Sequence, residues 1–340
     1  MPNEASARMP PQTEAAIEAN LPVIDAHHHL WAAPRPDYLF PEYAADTAAH
    51  RVVGSVFVEC RTHYEASASP ELAPLGETAF ALAESARAAR SNLKNIAAGI
   101  IGYADLTLGA GVARVIDAHR EIAGNRFVGI RNIAAWHADS AIEPSSIARP
   151  PEKLLYSPAF REGFRELPRY DLTFDTYVLH TQLDDVRDLA RAFPQTRIVV
   201  NHAGGPLRSG PRDQAAFQAW RTAMQRLSAC ENVAVKIGGF GMPVFGFGFA
   251  QASAPVSSDT LAQVLRPYFD CCIELFGAER CMVESNFPVD RIGYSYTVFL
   301  NALKKLSARL PADERRHFFL GTADRIYGLG LADSLQSELS

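Results

Sequence analysis

The sequence has no concentrated block of lysine or arginine. Its formal net charge is −5 over 340 residues, so neither a nucleic-acid interface nor a basic membrane-binding patch is expected. The first twenty residues lack a basic start followed by an apolar run, so we predict a flexible tail rather than a secretory signal or a membrane anchor. The expectation is a cytoplasmic protein whose partner is a small molecule.

Cysteines are few, and their pattern excludes one further class of protein. There are five of them, an odd number, and none belongs to a Cys-x-x-Cys pair. Such a pattern does not fit a disulfide framework. We expect reduced thiols that pack in the core at Cys60, Cys230, Cys271, Cys272 and Cys281.

Eight apolar segments of β type recur along the chain, and segments with helical patterns separate them. Each apolar segment could be buried on both faces, which is typical of a parallel sheet. We therefore predict an α/β fold, a single-domain (β/α)8 barrel over residues 21–330, with a C-terminal tail at 331–340. The predicted strands are 23–26, 52–59, 95–101, 127–131, 172–180, 196–202, 233–237 and 281–286.

An open doubly wound sheet is the alternative architecture. It needs a glycine-rich phosphate-binding turn after the first strand, and histidines occupy that position here. The barrel is therefore the better interpretation. The last long helical segment, 312–327, is expected to cover the outside of the barrel.

The stretch Val-Ile-Asp-Ala-His-His-His-Leu-Trp, residues 23–31, is the most informative part of the sequence. On a strand, alternate side chains share a face, so His27 and His29 should point together and His28 should turn away. Two imidazoles on one face suit metal ligation or proton transfer. A single histidine would more often be a core residue, but three in a row after an apolar strand favour a site.

Further polar residues are predicted at the ends of other strands, which meet at one mouth of a barrel. Arg131 would either anchor a substrate or pair internally with Glu59. Lys236 is expected to pair with Glu284. The candidates at this mouth are His27, His29, Glu59, Arg131, His180, His202, Glu284 and Asn286.

Two loops offer aromatic surface to a substrate. Trp31 directly follows the first strand, and a glycine- and phenylalanine-rich loop over 239–249 contains Phe245 and Phe247. Such a loop could close over an apolar substrate as a lid. The alternative is a self-association surface, which makes a homodimer a second expectation.

Five ordered motifs resemble the amidohydrolase superfamily, and in particular the group that includes 2-pyrone-4,6-dicarboxylate hydrolase, sugar lactonases and 4-sulfomuconolactone hydrolase. They are IDAHHHLW (24–31), FVGIR (127–131), TFDTYVLH (173–180), VNHAGGP (200–206) and ESNFPVD (284–290). The resemblance implies a strand-one pair at His27 and His29, further site histidines at His180 and His202, and a substrate-binding arginine at Arg131.

Asn286 departs from this pattern, because the resemblance leads us to expect an aspartate there. A neutral asparagine can orient a water molecule but cannot take its proton at pH 7. His27, His29 and His202 could hold one divalent metal, most readily zinc. Loss of the carboxylate nevertheless tips the expectation slightly towards a metal-independent reaction.

Together these residues predict a hydrolase that opens a lactone, or a related ester or amide, of a small organic acid or aromatic-derived compound. Water would attack the carbonyl, with Glu59 or a histidine accepting its proton and His27, His29 and His202 stabilising the oxyanion. Arg131 and His180 would bind the substrate. The alternatives are a metal-dependent decarboxylase or isomerase on the same barrel and, in another class, a non-catalytic ligand-binding barrel.

Overall fold

The eight predicted strands form one parallel sheet in chain order, each paired with its neighbours in the sequence. The computed structural model describes residues 14–93, 95–208, 210 and 213–337. A parallel bridge between His28 and Phe287 brings the first strand to the end of the last, and the predicted (β/α)8 barrel is confirmed. The strands are β1 Val23–His28, β2 Val52–Val58, β3 Gly99–Gly102, β4 Phe127–Ile133, β5 Thr173–Tyr177, β6 Ile198–Val200, β7 Val233–Ile237 and β8 Cys281–Val283.

Helices follow the strands and cover the outside of the barrel. Several begin at a serine or aspartate whose side chain accepts a backbone N–H of the first turn, as Asp213, Ser257 and Ser295 do. Among the described residues, no helix is both long and apolar enough to cross a membrane. The helices are α1 Phe40–Thr47, α2 Leu75–Arg90, α3 Val112–Ala123, α4 Pro158–Phe164, α5 Leu183–Ala192, α6 Gln214–Ser228, α7 Ser258–Phe276, α8 Tyr296–Ser307, α9 Ala312–Arg316, α10 Thr322–Tyr327 and α11 Leu331–Ser337.

The strands β5, β6 and β8 end earlier than the sequence predicted. β8 stops at Val283, so Glu284 is the first residue of the following loop. Asn286 adopts a left-handed backbone conformation with φ 55°, which a strand cannot contain. His202, Glu284 and Asn286 therefore lie just beyond their strands, where their side chains can turn towards one another.

The segment around α10 closes the bottom of the barrel, so our expectation that 312–327 covers its outside is wrong for the second half of that segment. Leu320, Ala323, Ile326 and Tyr327 pack against the side chains that fill the barrel interior. Gly99, at the start of β3, lies against Leu329. The interior side chains are Ile24, Ala26, Val56, Val58, Ile101, Val128, Val199, Ala234 and Met282.

Lys236 lies inside this interior and pairs with Asp175, with 2.7 Å between Nζ and Oδ2. Tyr327 donates its hydroxyl to the same carboxylate at 3.1 Å. The predicted pair of Lys236 with Glu284 is wrong because the β7–β8 register places Lys236 opposite Met282. Glu284 lies two residues further towards the mouth.

Both predicted tails contain residues that pack on the barrel. Ile17 donates its backbone N–H to Asn301 on α8, and Lys304 donates to the Ile17 carbonyl oxygen at 2.9 Å. Leu331 and Ala332 join the interior cluster. Residues 1–13 lie outside the described part of the chain, as do 338–340. All five cysteines are free and buried, as predicted.

We expect the substitution Leu320→Ala to lower the free energy of unfolding by about 2–4 kcal/mol, because it leaves a cavity beneath the barrel. Urea unfolding followed by circular dichroism measures this. The control Leu108→Ala removes a side chain that is 41% exposed and should change the free energy by less than about 0.5 kcal/mol. Equal losses in the two variants would contradict the packing of Leu320.

Candidate active site

The three histidines at the end of β1 have different surroundings. His28 turns away from the barrel interior and stacks on Tyr43, with 4.2 Å between the ring centres. Its Nε2 lies 2.9 Å from the Ser55 hydroxyl, and burial lowers its pKa to about 3. His28 is therefore a neutral packing residue, whereas His27 and His29 face the mouth.

Asp25 fixes the junction between β1 and the segment after β8. Its carboxylate accepts the backbone N–H of Ser285 at 2.9 Å and the Ser285 hydroxyl at 2.6 Å. The hydroxyls of Tyr43 and Tyr296 donate to the same group. Because Ser285 directly follows Glu284, this buried junction brings Glu284 beside His27.

His27, His202 and Glu284 form the centre of the site. Glu284 Oε1 lies 2.5 Å from His202 Nδ1, and Glu284 Oε2 lies 3.2 Å from His27 Nδ1. One potential ligand atom from each residue falls within 4.8 Å of the others. The three side chains are at most 4% exposed, so their electrostatic interactions are only weakly screened by solvent.

The turn after β6 presents His202 to Glu284. The His202 backbone has φ 53°, and its N–H donates to Glu284 Oε1 at 3.1 Å. Gly239 permits this placement, because a Cβ atom there would lie 2.5 Å from His202 Nδ1. The edge of Tyr177 packs on the His202 ring at 4.9 Å, so the imidazole is held from three sides.

His27 and His29 are neutral at pH 7. Burial lowers the pKa of His27 well below its usual value, and the positive charge of Lys236 lowers it further. Burial also lowers the pKa of His29, followed by the charge of Arg131. His29 Nδ1 lies 2.8 Å from the Val58 carbonyl oxygen, which can only accept. The proton is thus on Nδ1, and Nε2 keeps its lone pair.

Arg131 forms the internal ion pair that the sequence left as one of two alternatives. Its Nε donates to Glu59 Oε1 at 2.8 Å, and a terminal nitrogen donates to the Glu59 carbonyl oxygen. The other terminal nitrogen, Nη1, lies 3.4 Å from His27 Nε2. Arg131 therefore links Glu59 to the histidine centre, and one edge of its guanidinium faces the site.

Asn286 lies next to the centre, and its side chain is bound to the carboxylate of Asp290, the last residue of the motif ESNFPVD. Its backbone N–H donates to the His27 carbonyl oxygen at 2.9 Å, and its side-chain Nδ2 donates to Asp290 Oδ1 at 2.8 Å. Burial raises the pKa of Asp290 to about 6. The four-residue spacing from Asn286 in a turn was the available signal for Asp290.

Glu284 was listed among the candidates at the mouth but was expected to pair with Lys236, and the structure places it with His27 and His202 instead. The error follows from the predicted strand 281–286, which is three residues too long. With β8 ending at Val283, Glu284 reaches the mouth. An apolar run that stops before a glutamate was the signal for this ending.

The predicted substrate-binding residues lie in two different places. His180 Nδ1 accepts the Leu207 backbone N–H at 3.1 Å, so its proton is on Nε2, and burial lowers its pKa. Trp31 lies at the rim, stacked on His29 with 6.3 Å between ring centres. Phe247 packs instead against Tyr268 of α7.

Phe245 belongs to an apolar cap over the mouth. It is fully buried beside Tyr177 and shares a cluster with Ile142, Ala148 and Leu207 from two other loops. The aromatic loop is thus largely folded into its own chain, so the exposed surface that suggested a homodimer is not present at Phe245. The dimer itself stays a prediction.

A cleft of about 640 Å³ opens beside this cap. It lies between the loops that follow β2, β3 and β4, and Arg61, Tyr103 and Asn132 line it. Asn132 directly follows Arg131 on β4, but consecutive residues of a strand face opposite sides, and neither Arg131 nor Glu59 lines the cleft. The site residues themselves are buried, so a substrate can reach them only when the loops that cover the mouth move.

The central residues fit a divalent metal ion. In the part of the chain that the structure describes, the buried His27 Nδ1 has no hydrogen-bond partner. Two imidazoles and one carboxylate are a ligand set of catalytic zinc sites. His29 was the predicted third ligand, but the group within ligand distance contains Glu284 instead. Glu284 thereby supplies the negative charge that Asn286 lacks.

The substitution Gly239→Ala should displace His202 and lower the affinity for Zn²⁺ at least about tenfold. The control is Gly277→Ala, because both glycines have positive φ, 74° and 72°, but no atom lies within 4 Å of the Cβ position at Gly277. Both variants should lose about 1–2 kcal/mol of stability. Competition with a chromogenic chelator measures the affinity, and equal affinities in the two variants would contradict this geometry.

Known proteins match almost the whole chain. A family model described as Amidohydrolase matches residues 24–329. An uncharacterized protein of Sinorhizobium fredii, y4mH, is 29% identical over 91% of this chain and 99% of its own length. An L-fucono-1,5-lactonase of Burkholderia multivorans is 27% identical over 90% of this chain and 96% of its own length.

A solved amidohydrolase from Burkholderia multivorans has the same fold. It was crystallised with HEPES in one form and with zinc in another. The two structures match this chain with TM-scores of 0.70 and 0.69. In both cases the identity is 25%, and the match covers 90% of this chain and 99% of the other. The resemblance stated from the motifs is confirmed. The extent of the family match shows that this protein is an enzyme of the amidohydrolase family.

Proposed function

We propose that the protein hydrolyses a small lactone by attack of water on the ring carbonyl. The observation that carries this proposal is the buried group of His27, His202 and Glu284 with Arg131 beside it. Relatives named L-fucono-1,5-lactonase, similar over about nine-tenths of the chain, support a lactone as the substrate class.

In this proposal each side chain has one task. Arg131 Nη1 lies near His27 Nε2, and a donor there can stabilise negative charge that develops on the carbonyl oxygen. His180 presents an Nε2–H to the substrate. Glu59 accepts the proton of the attacking water through Oε2, which has no hydrogen-bond partner among the described residues.

His27, His202 and Glu284 would hold one zinc ion. When bound, zinc lowers the pKa of a coordinated water towards neutrality. The neutral state of His27 favours this, because only an unprotonated imidazole binds a metal. We therefore replace the slight preference for a metal-independent reaction, which depended on Asn286, by a metal-assisted one that depends on Glu284.

Protein purified without chelator should contain about one zinc ion per chain, as expected for a single site with three protein ligands. Elemental analysis measures this. Removal of the metal should lower lactone hydrolysis at least about 100-fold, and added Zn²⁺ should restore it. Full activity in metal-free protein would contradict a role for zinc and support the metal-independent reaction that the sequence suggested.

The substitution Glu59→Gln should lower kcat at least about 100-fold, since the amide cannot take a proton. Its matched control is Glu77→Gln. Glu77 is also buried, and burial together with the charge of Glu59 raises its pKa to about 8, so it is uncharged at pH 7 and the amide resembles it. Initial rates on folded protein provide the comparison, and equal activities in the two variants would exclude Glu59 as the base.

A panel of neutral and carboxylated lactones, with L-fucono-1,5-lactone among them, tests the reaction itself. In water enriched in ¹⁸O, mass spectrometry should find one labelled oxygen in the acid produced. Release of carbon dioxide from a carboxylated compound, or a product of unchanged mass, would instead identify the decarboxylase or isomerase alternative. Binding of lactones without turnover would contradict hydrolysis.

A further inference from the structure

Asn286 is held by both its backbone and its side chain. Its backbone N–H donates to the His27 carbonyl oxygen at 2.9 Å, which fixes the residue beside the histidine centre. Its side-chain Nδ2 donates to Asp290 Oδ1 at 2.8 Å. A primary amide has one donor end and one acceptor end. Binding the donor end to Asp290 leaves the acceptor Oδ1 on the opposite side.

Asp290 is itself held rigidly and does not face solvent. Its Oδ2 accepts the backbone N–H of Gly241 at 2.9 Å and the hydroxyl of Tyr294. Its own backbone N–H donates to the Asn286 carbonyl oxygen at 3.2 Å. The side chain is fully buried. Both carboxylate oxygens are thus in use, and Asp290 can act on a substrate only through Asn286.

We propose that Asp290 is a positioning residue that keeps the Asn286 amide oxygen, rather than its amino group, presented to the attacking water. This inference rests on the proposed hydrolysis. An acceptor at this place takes one O–H of the water and leaves a lone pair free for the carbonyl. The amino group would instead donate to that lone pair and block the attack.

The same carboxylate connects Asn286 to the aromatic loop. Gly241 belongs to the segment 239–249, and a Cβ atom at Gly241 would lie 2.8 Å from Asp290 Cγ. The first turn of the loop therefore rests directly on Asp290. Asp290 contacts both the first turn of this loop and the Asn286 amide. We therefore expect the Asn286 amide oxygen to face the water when the cap is closed.

The test begins with Asp290→Asn. Two facing amides can pair in either orientation, so the Asn286 amide is no longer fixed, and kcat on the best lactone should fall at least about tenfold while KM changes less than about twofold. Tyr294→Phe is the control, because it removes a hydrogen bond to the other oxygen of Asp290. It should lower stability and leave kcat within about twofold. An unchanged kcat in folded Asp290→Asn protein would overturn the proposal.

The double variant Asn286→Asp/Asp290→Asn separates positioning from a structural role. It exchanges the two groups, so the amide at 290 donates to a carboxylate at 286, and an acceptor again faces the water. Its kcat should exceed that of Asp290→Asn at least about fivefold. Because a carboxylate at 286 can itself take a proton, the single variant Asn286→Asp is the reference, and its kcat should stay below that of the double variant. A double variant no faster than either single variant would overturn the proposal.

NMR spectroscopy tests the pairing of the Asn286 side chain with Asp290 without measuring turnover. In the NMR spectrum of protein labelled with ¹⁵N-asparagine, the side-chain signal of Asn286 is identified as the one that is absent from the spectrum of the Asn286→Asp variant. Its protons should exchange slowly with solvent in the native protein and rapidly in Asp290→Asn. Unchanged exchange would refute the positioning role even if lactone hydrolysis is established. If no lactone is turned over but the Asn286 protons exchange as expected, only the proposed function is refuted.

Discussion

The site depends on one buried carboxylate, Glu284, shared between two histidines. Removing a carboxylate from water is costly unless hydrogen bonds and charges compensate it. Here the backbone N–H and the Nδ1 of His202 contact it, and the Nδ1 of His27 lies 3.2 Å away without a hydrogen bond. Because these partners come from the ends of β1 and β6, the carboxylate sets the distance between strands that lie on different sides of the barrel.

Glycine makes this arrangement possible at the end of β7. A Cβ atom at Gly238 would lie 1.8 Å from the Glu284 carbonyl oxygen, and one at Gly239 would meet the His202 ring. Two ion pairs lie near this centre, one below it and one beside it. Lys236 pairs with Asp175 below the centre, and Arg131 pairs with Glu59 beside it. The positive charge of Lys236 contributes to the lowered pKa of His27, and that of Arg131 to the lowered pKa of His29, in both cases after burial.

Much of the fold and part of the site followed from the sequence. Eight apolar runs predicted eight strands, and strand alternation placed His27 and His29 on the mouth and His28 outside it. Contacts that depend on strand endings were not predictable in this way: an error of three residues in β8 concealed the contacts of Glu284 with His27 and His202. Register decided the partner of Lys236, and no local pattern reports register between strands buried on both faces. Aromatic residues such as Phe245 looked exposed because the loops that cover them are distant in sequence.

The segment that closes the bottom of the barrel has a consequence for how the chain is made. Leu320, Ile326 and Tyr327 follow β8, so all eight strands leave the ribosome before their shared interior can be sealed. Until then the lower ends of the strands, with their apolar side chains and the Lys236–Asp175 pair, are open to water. A nascent chain halted before residue 320 would therefore be a target for chaperones that bind exposed apolar surface.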